Sequence, residues 1–358
     1  MKIKHGKKII DNLSVAFFAN LISLMSSTLL TLVLPKFIGV TEYSYYQLYV
    51  FYVGYVGFLG FGWIDGVYLK YGGQYYSSID KENISSQLRL FSIFEIIICI
   101  LIISISCLYT PSAARRTVFL FFALCSVIYL PRAFLHNLLQ TTGRIKEYAT
   151  GVIIDKAVHI LVMVIGIINR MDFFEWFVIS ELFGRLCGSI YIFTICRDIV
   201  FCKPSSFKYV KNEINSSITA GFTLMISNVA SMLIIGVVRQ GIEIYWNVET
   251  FGKLSLTLSI SNLFMTFINS VAMVVFPMVK RSSQYQMKVI YGNIKTMMMV
   301  LLFFMLCFYY PSRELLSIWL PQYSESLKYM AILFPLCIYE GKTSVIVNTY
   351  MKALRKEK

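Results

Sequence analysis

Charge is scarce in this chain: only 15% of its 358 residues are Asp, Glu, Lys or Arg, against about a quarter in an ordinary soluble domain. Histidine is scarcer still, and His5, His136 and His159 stand apart without metal-site spacing. The eight cysteines are scattered, with no CxxC pair. They read as small packing residues rather than disulfides or metal ligands. No dinucleotide-binding GxGxxG, Walker sequence or catalytic triad stands out. These gaps leave no basis for a metal, a cofactor, a catalytic residue or an enzyme.

What the chain has is apolar length. Hydrophobic residues make up 57% and the mean hydropathy is +0.66. Ten runs of about 20 residues, each able to span a hydrocarbon core of about 30 Å, cover 13–34, 45–69, 89–109, 117–139, 149–168, 173–196, 219–238, 255–276, 296–316 and 327–350. Spans of this length are helices, because lipid offers no partner to bare backbone amides. The expectation is an all-α, multi-pass integral membrane protein. The first run follows Lys2, Lys4, Lys7 and Lys8 as a signal peptide would, but it is too long for a signal core and no cleavage pattern follows it. It reads as a retained helix.

The net charge of +14 follows from topology rather than nucleic-acid binding. With the N-terminus inside, 22 of the 33 basic residues fall on the inner side, Lys156 counted among them, 8 on the outer side and 3 within spans. That asymmetry puts both termini in the cytoplasm. The outer pair Arg115–Arg116 argues the other way.

A shift of 208 residues aligns the halves without gaps at several places: Asn20 with Asn228, Ser23 with Ser231, Leu48 with Leu256, and Gln140-Thr141 with Asn348-Thr349. The shift maps the first span on the seventh and the fourth on the tenth, a parallel repeat of two bundles. The first bundle, 1–198, has six helices and the second, 218–358, has four, so the second is expected to be cut short. Between them 199–217 is a polar cytoplasmic linker. Its Phe207, Val210 and Ile214 have amphipathic spacing, and a plain solvated linker is the other reading.

Ionisable groups inside spans are costly and face a cavity or a partner. Arg132 shares a helix face with His136 and Gln140. It is either a cation for an entering phosphate or half of an ion pair with its repeat counterpart Glu340. Arg185 has Glu181 four residues before it, the favoured order for a helical pair, so it too is a substrate contact or a structural bridge. Arg239 is a cavity-mouth cation or a snorkelling interface residue. Trp63, Asp65 and Tyr68 crowd the inner end of the second span as candidates for glycan contact or ion coupling. Asp65 has an alternative as a helix cap or partner of Lys70. Tyr45, Tyr46, Tyr49, Tyr52 and Tyr55 offer a sugar-binding surface or an interfacial belt. Ser255, Ser259, Asn262, Thr266 and Asn269 form a polar stripe that faces a wet lumen or another helix.

LPKFIGVTEYSYYQLYVFYVGYVGFLGFGWIDGVYLKYGG at 34–73 resembles the second helix of bacterial lipid-linked oligosaccharide flippases of the Wzx type. LLQTTGRIKEY at 138–148, AGFTLMISNVASMLIIGVVRQ at 220–240, FGKLS at 251–255 and VVFPMVKR at 274–281 extend the resemblance along the chain. Together they make the chain look like a member of the multidrug/oligosaccharidyl-lipid/polysaccharide exporter superfamily. The resemblance implies a MATE/MurJ-like fold of two bundles around a cationic lumen. It also implies passage of an undecaprenyl-diphosphate-linked oligosaccharide from the inner to the outer leaflet of the bacterial cytoplasmic membrane. Expected partners are that substrate, membrane lipid, a polymerase and other glycan-assembly proteins. Arg132, Arg185 and Arg239 match no established family site. Two rivals remain: a multidrug efflux transporter, served by Asp65, Glu95, Asp155, Glu181 and Glu340, and a polysaccharide polymerase, for which the outer loops are short.

Overall fold

The structure, a computed structural model, describes residues 15, 17–203, 205, 207–263, 284–324 and 326–331. Helix is the only regular secondary structure among them. Six helices are long and apolar enough to cross a membrane, or up to eight if each of two bent pairs forms one span. The helices are α1 (Phe17–Phe37), α2 (Val40–Gly54), α3 (Trp63–Tyr71), α4 (Lys81–Tyr109), α5 (Ala113–Thr141), α6 (Ile145–Ile168), α7 (Phe174–Ile195), the short α8 (Arg197–Val200), α9 (Phe207–Tyr245), α10 (248–263) and α11 (Gln284–Trp319). The expected eighth and tenth spans lie largely outside the described residues.

The second expected span is broken. α2 runs into a 3-10 turn at Val56–Gly60, and α3 leaves at 63° to it. The joint is the left-handed pair Phe61 (φ 46°) and Gly62 (φ 77°), the second of which glycine alone adopts freely. α9 bends by 51° between Ala230 and Met232. Hydropathy continues through both breaks, so neither was legible as an interruption.

By contacts the chain forms two units. One holds the residues up to Ser26 with Phe37–Val248; the other holds Ser27–Lys36 with the residues from Glu249 on. This differs from a division at 198 and 218, because α9 packs with the first unit. Glycines explain the attachment. A Cβ at Gly66 of α3 would lie 1.8 Å from the Ser217 carbonyl oxygen, and one at Gly221 of α9 would lie 2.0 Å from that of Gly62. Only bare backbone lets these helices approach so closely. The expected linker is in part the first turns of α9, where Val210 is buried and Ile214 packs on the core.

That core joins Trp63, Ile64, Phe91, Leu130, Phe134 and Ile192. α4 shows why a helix can serve core and lipid at once: Asp80 caps it by accepting from the Asn83 amide at 3.1 Å. Gln87, Phe91, Glu95 and Cys99 then repeat at helical spacing on its buried side, while Ile93, Ile97, Ile100 and Leu101 stay exposed. Such exposure is favourable in hydrocarbon and costly in water.

Paired charges collect at the helix ends. At one end Lys81 bridges Asp198 at 2.8 Å, Lys70 bridges Glu213, and the Tyr76 hydroxyl donates to Asp198 at 2.9 Å. Burial works against the Asp198 carboxylate, but the bonds from Lys81 and Tyr76 outweigh it and hold its carboxyl below the usual range. At the opposite end Arg115 bridges Glu243 at 2.7 Å. Lys70 therefore takes Glu213 rather than Asp65. In the second unit, the Trp319 indole donates at 2.7 Å to the carbonyl of Leu32, within the π-helical turn Leu29–Val33. Lys36 sits 3.2 Å from the centre of the Trp319 ring.

Candidate functional site

A cavity of about 670 Å³ opens inside the first unit. Its wall comes from α2, the 3-10 turn, α3, α5, α6 and α7, and includes Asp65, Arg132, His136, Asp155, Lys156, Glu181 and Arg185. α5 carries Arg132 and His136 one turn apart on one face, as their spacing predicts. Gln140, the third member of that face, is exposed. α6 contributes Asp155 and Lys156, and α7 contributes Glu181 and Arg185.

Arg132, only 3% exposed, donates from Nη1 to Asp155 Oδ2 at 2.6 Å and from Nη2 to the Gly151 carbonyl at 3.3 Å. Gly188 makes this seat: a Cβ there would stand 3.0 Å from the guanidinium carbon. The expected alternative partner, Glu340, lies outside the described residues; Asp155 fills that role across the α5–α6 interface. Arg185 donates from Nε at 3.1 Å and from Nη2 at 2.5 Å to a single oxygen, Glu181 Oε1. Its Nη1 lies 2.9 Å from Cys125 Sγ, and its guanidinium stands 4.9 Å from the Tyr129 ring centre. His136 Nε2 meets the Tyr148 carbonyl at 2.8 Å, and the two rings stack at 4.0 Å.

The pairing leaves loose ends. Arg132 Nε, Asp155 Oδ1, Glu181 Oε2 and both ring nitrogens of His159 are buried without a hydrogen-bond partner among the described residues. His159, only 1% exposed, lies against Gly184 of α7, whose Cβ would stand 3.0 Å from its own.

The lining carries Arg132, Lys156 and Arg185 against Asp65, Asp155 and Glu181, so the wall is charge-balanced rather than cationic. Lys156, counted on the inner side from sequence, stands midway along α6. The other expected residues scatter. Trp63 is buried in the core, donating to Gln87 Oε1 at 3.0 Å and packed edge-on against Phe91 at 5.3 Å. Tyr68 is 39% exposed on α3. Arg239, on α9, lies 4.8 Å from the Phe51 ring centre and is not among the lining residues. Asn262 is exposed on α10 in the second unit. Asn269 and Thr266 lie outside the described residues.

From sequence Asp155 is one of five intramembrane carboxylates that would serve efflux, with no arginine partner assigned, and His159 has no role. The usable signal was three ionisable residues, Asp155, Lys156 and His159, within five positions of one apolar run. Among the described residues no cluster of His, Cys, Asp and Glu is placed to hold a metal ion. No family model, no curated protein and no solved structure matches the chain.

Proposed function

We propose that this protein is a flippase for a lipid-linked oligosaccharide, of the Wzx type within the multidrug/oligosaccharidyl-lipid/polysaccharide superfamily. In this reading about ten spans form two MATE/MurJ-like bundles in the bacterial cytoplasmic membrane, with both termini in the cytoplasm. It moves an undecaprenyl-diphosphate-linked glycan from the inner to the outer leaflet by alternating access, alongside a polymerase and other glycan-assembly proteins, and it is a transporter rather than an enzyme. The observation that carries the reading is Arg132 and Arg185 on the wall of one cavity inside an apolar helical bundle.

The physical case starts from the head group. A diphosphate cannot enter hydrocarbon as a bare ion without a cost of many kcal/mol. Guanidinium forks offer paired donors to phosphate oxygens, whereas a lysine offers a point charge. The isoprenoid tail stays in lipid while the head group crosses through the cavity. Asp65, at the N-terminal turn of α3, sits on the same wall, where a carboxylate would accept from a sugar hydroxyl.

Surface-glycan export in cells, scored with protein level and accumulated lipid-linked precursor, tests this. Arg132→Lys and Arg185→Lys are expected to keep partial export, and Arg132→Ala to abolish it. For Arg185 the double replacement of Glu181 and Arg185 separates roles: export recovered by the pair makes Arg185 structural. Normal export by both Arg→Ala variants would refute the phosphate-contact assignment. The second reading, efflux of organic cations, draws on Asp65, Asp155 and Glu181 in the same wall. Drug resistance conferred without any effect on surface glycan would favour it.

A further inference from the structure

An arginine held only for architecture is best gripped fork to fork, by both oxygens of its carboxylate. Neither cavity pair does this. Arg132 reaches Asp155 through Oδ2 alone, and Arg185 puts two donors on Glu181 Oε1. The second oxygen of each acid, and Arg132 Nε, are left buried without a partner among the described residues. Buried polar atoms without hydrogen bonds carry their full desolvation penalty, so each pair retains a drive to exchange partners. A phosphate and a carboxylate compete for the same N–H groups. Beside them His159 offers two open ring nitrogens in the field of Glu181 and Asp155, with Lys156 and Arg185 acting on the same ring.

We infer that Asp155 and Glu181 are resident counter-ions, which compete with the phosphates of the substrate for Arg132 and Arg185, keep single-phosphate anions out of the cavity, and recapture the arginines when the head group leaves. The inference rests on the phosphate reading above. A single phosphate gains one arginine while displacing one carboxylate, a near-even exchange that leaves the entropy of association unmatched. Two linked phosphates displace both acids in one binding event, the second contact being intramolecular. Once the cavity faces the other side, the same acids weaken the hold. A transport site must bind well enough to load and weakly enough to empty. His159 gives a displaced carboxylate a place to pair while the arginine is occupied.

Pyrophosphate and orthophosphate are titrated calorimetrically against the full purified chain and its Asp155→Asn and Glu181→Gln variants. Each variant is expected to bind pyrophosphate about ten-fold more tightly, the value of one ionic hydrogen bond no longer opposed. Measurable orthophosphate binding should appear, and export in cells should fall. Variants that melt like wild type yet bind pyrophosphate equally or less tightly would overturn the inference. Should the variants not fold, infrared difference spectra of wild type decide: added pyrophosphate should shift carboxylate bands, and an unchanged carboxylate region overturns the counter-ion role. Wild type that binds no pyrophosphate at all sinks the phosphate reading itself. Pyrophosphate bound without carboxylate displacement sinks only the role of the two acids.

Discussion

Replacing Gly66 by alanine tests the α3–α9 crossing directly. The new methyl would lie 1.8 Å from the Ser217 carbonyl oxygen and 2.4 Å from its carbon, well inside van der Waals contact. Because the obstacle is backbone, no rotamer change relieves it, and the helices must separate. Overpacking of this kind costs about 1–3 kcal/mol, and a backbone clash belongs at the upper end. In a thermal melt of the detergent-solubilised chain that amounts to a loss of roughly 4 °C. Gly241→Ala, on the same α9, is the control: a Cβ there meets nothing within 4 Å. Its melting point should hold or rise slightly, since alanine exceeds glycine by up to about 1 kcal/mol in a helix. Trimming the neighbour in a Gly66→Ala/Ser217→Gly double variant should restore nothing, because the clash is with main chain. Equal melting of Gly66→Ala and Gly241→Ala would refute the contact.

Trp63→Phe should keep the packing on Phe91 but strand the Gln87 oxygen, costing about 1–3 kcal/mol of stability with export preserved; export lost at unchanged stability would instead make Trp63 a glycan contact. The Lys81–Asp198–Tyr76 cluster should hold at neutral pH and loosen under acid. The Asp198 carboxyl is held below its ordinary value of about 3.9, so its contribution is full above that value and is lost as pH falls through the lower, folded one. Hydrogen exchange along Arg197–Val200 should report that step, and Asp198→Asn should erase it. Trp319→Phe removes the donor to the Leu32 carbonyl and should lower the melting point by the equivalent of about 1 kcal/mol; an unchanged melt would discount that bond.

Helix content and the positions of most spans were legible, because apolar runs of bilayer length leave the backbone no alternative in lipid. The Glu181–Arg185 pair was also legible, since both members lie one turn apart on one helix. The Arg132–Asp155 pair was not: its members are 23 residues apart on different helices, and a repeat offset pointed instead to Glu340. Trp63 looked functional because a tryptophan beside an acid and glycines stands out in sequence. In the structure it fills the core and donates to Gln87, a residue with no distinguishing pattern around it. The joint at Phe61–Gly62 stayed hidden because Phe, Leu and Gly keep the hydropathy high through the break.

That joint lets one span serve different neighbours with its two halves. α2 packs on α5 and α7, the helices that carry the arginines, and α3 lies between α5 on one side and α9, which it meets backbone to backbone, on the other. Asp65 lies just past the joint, on the α9 side of the elbow. The place of Asp65 on the cavity wall is therefore fixed from two sides, by the apolar packing of α3 on the Arg132 helix and by its glycine contact with α9. A glycine seam, itself uncharged, thus helps to decide where one of the cavity's acids stands.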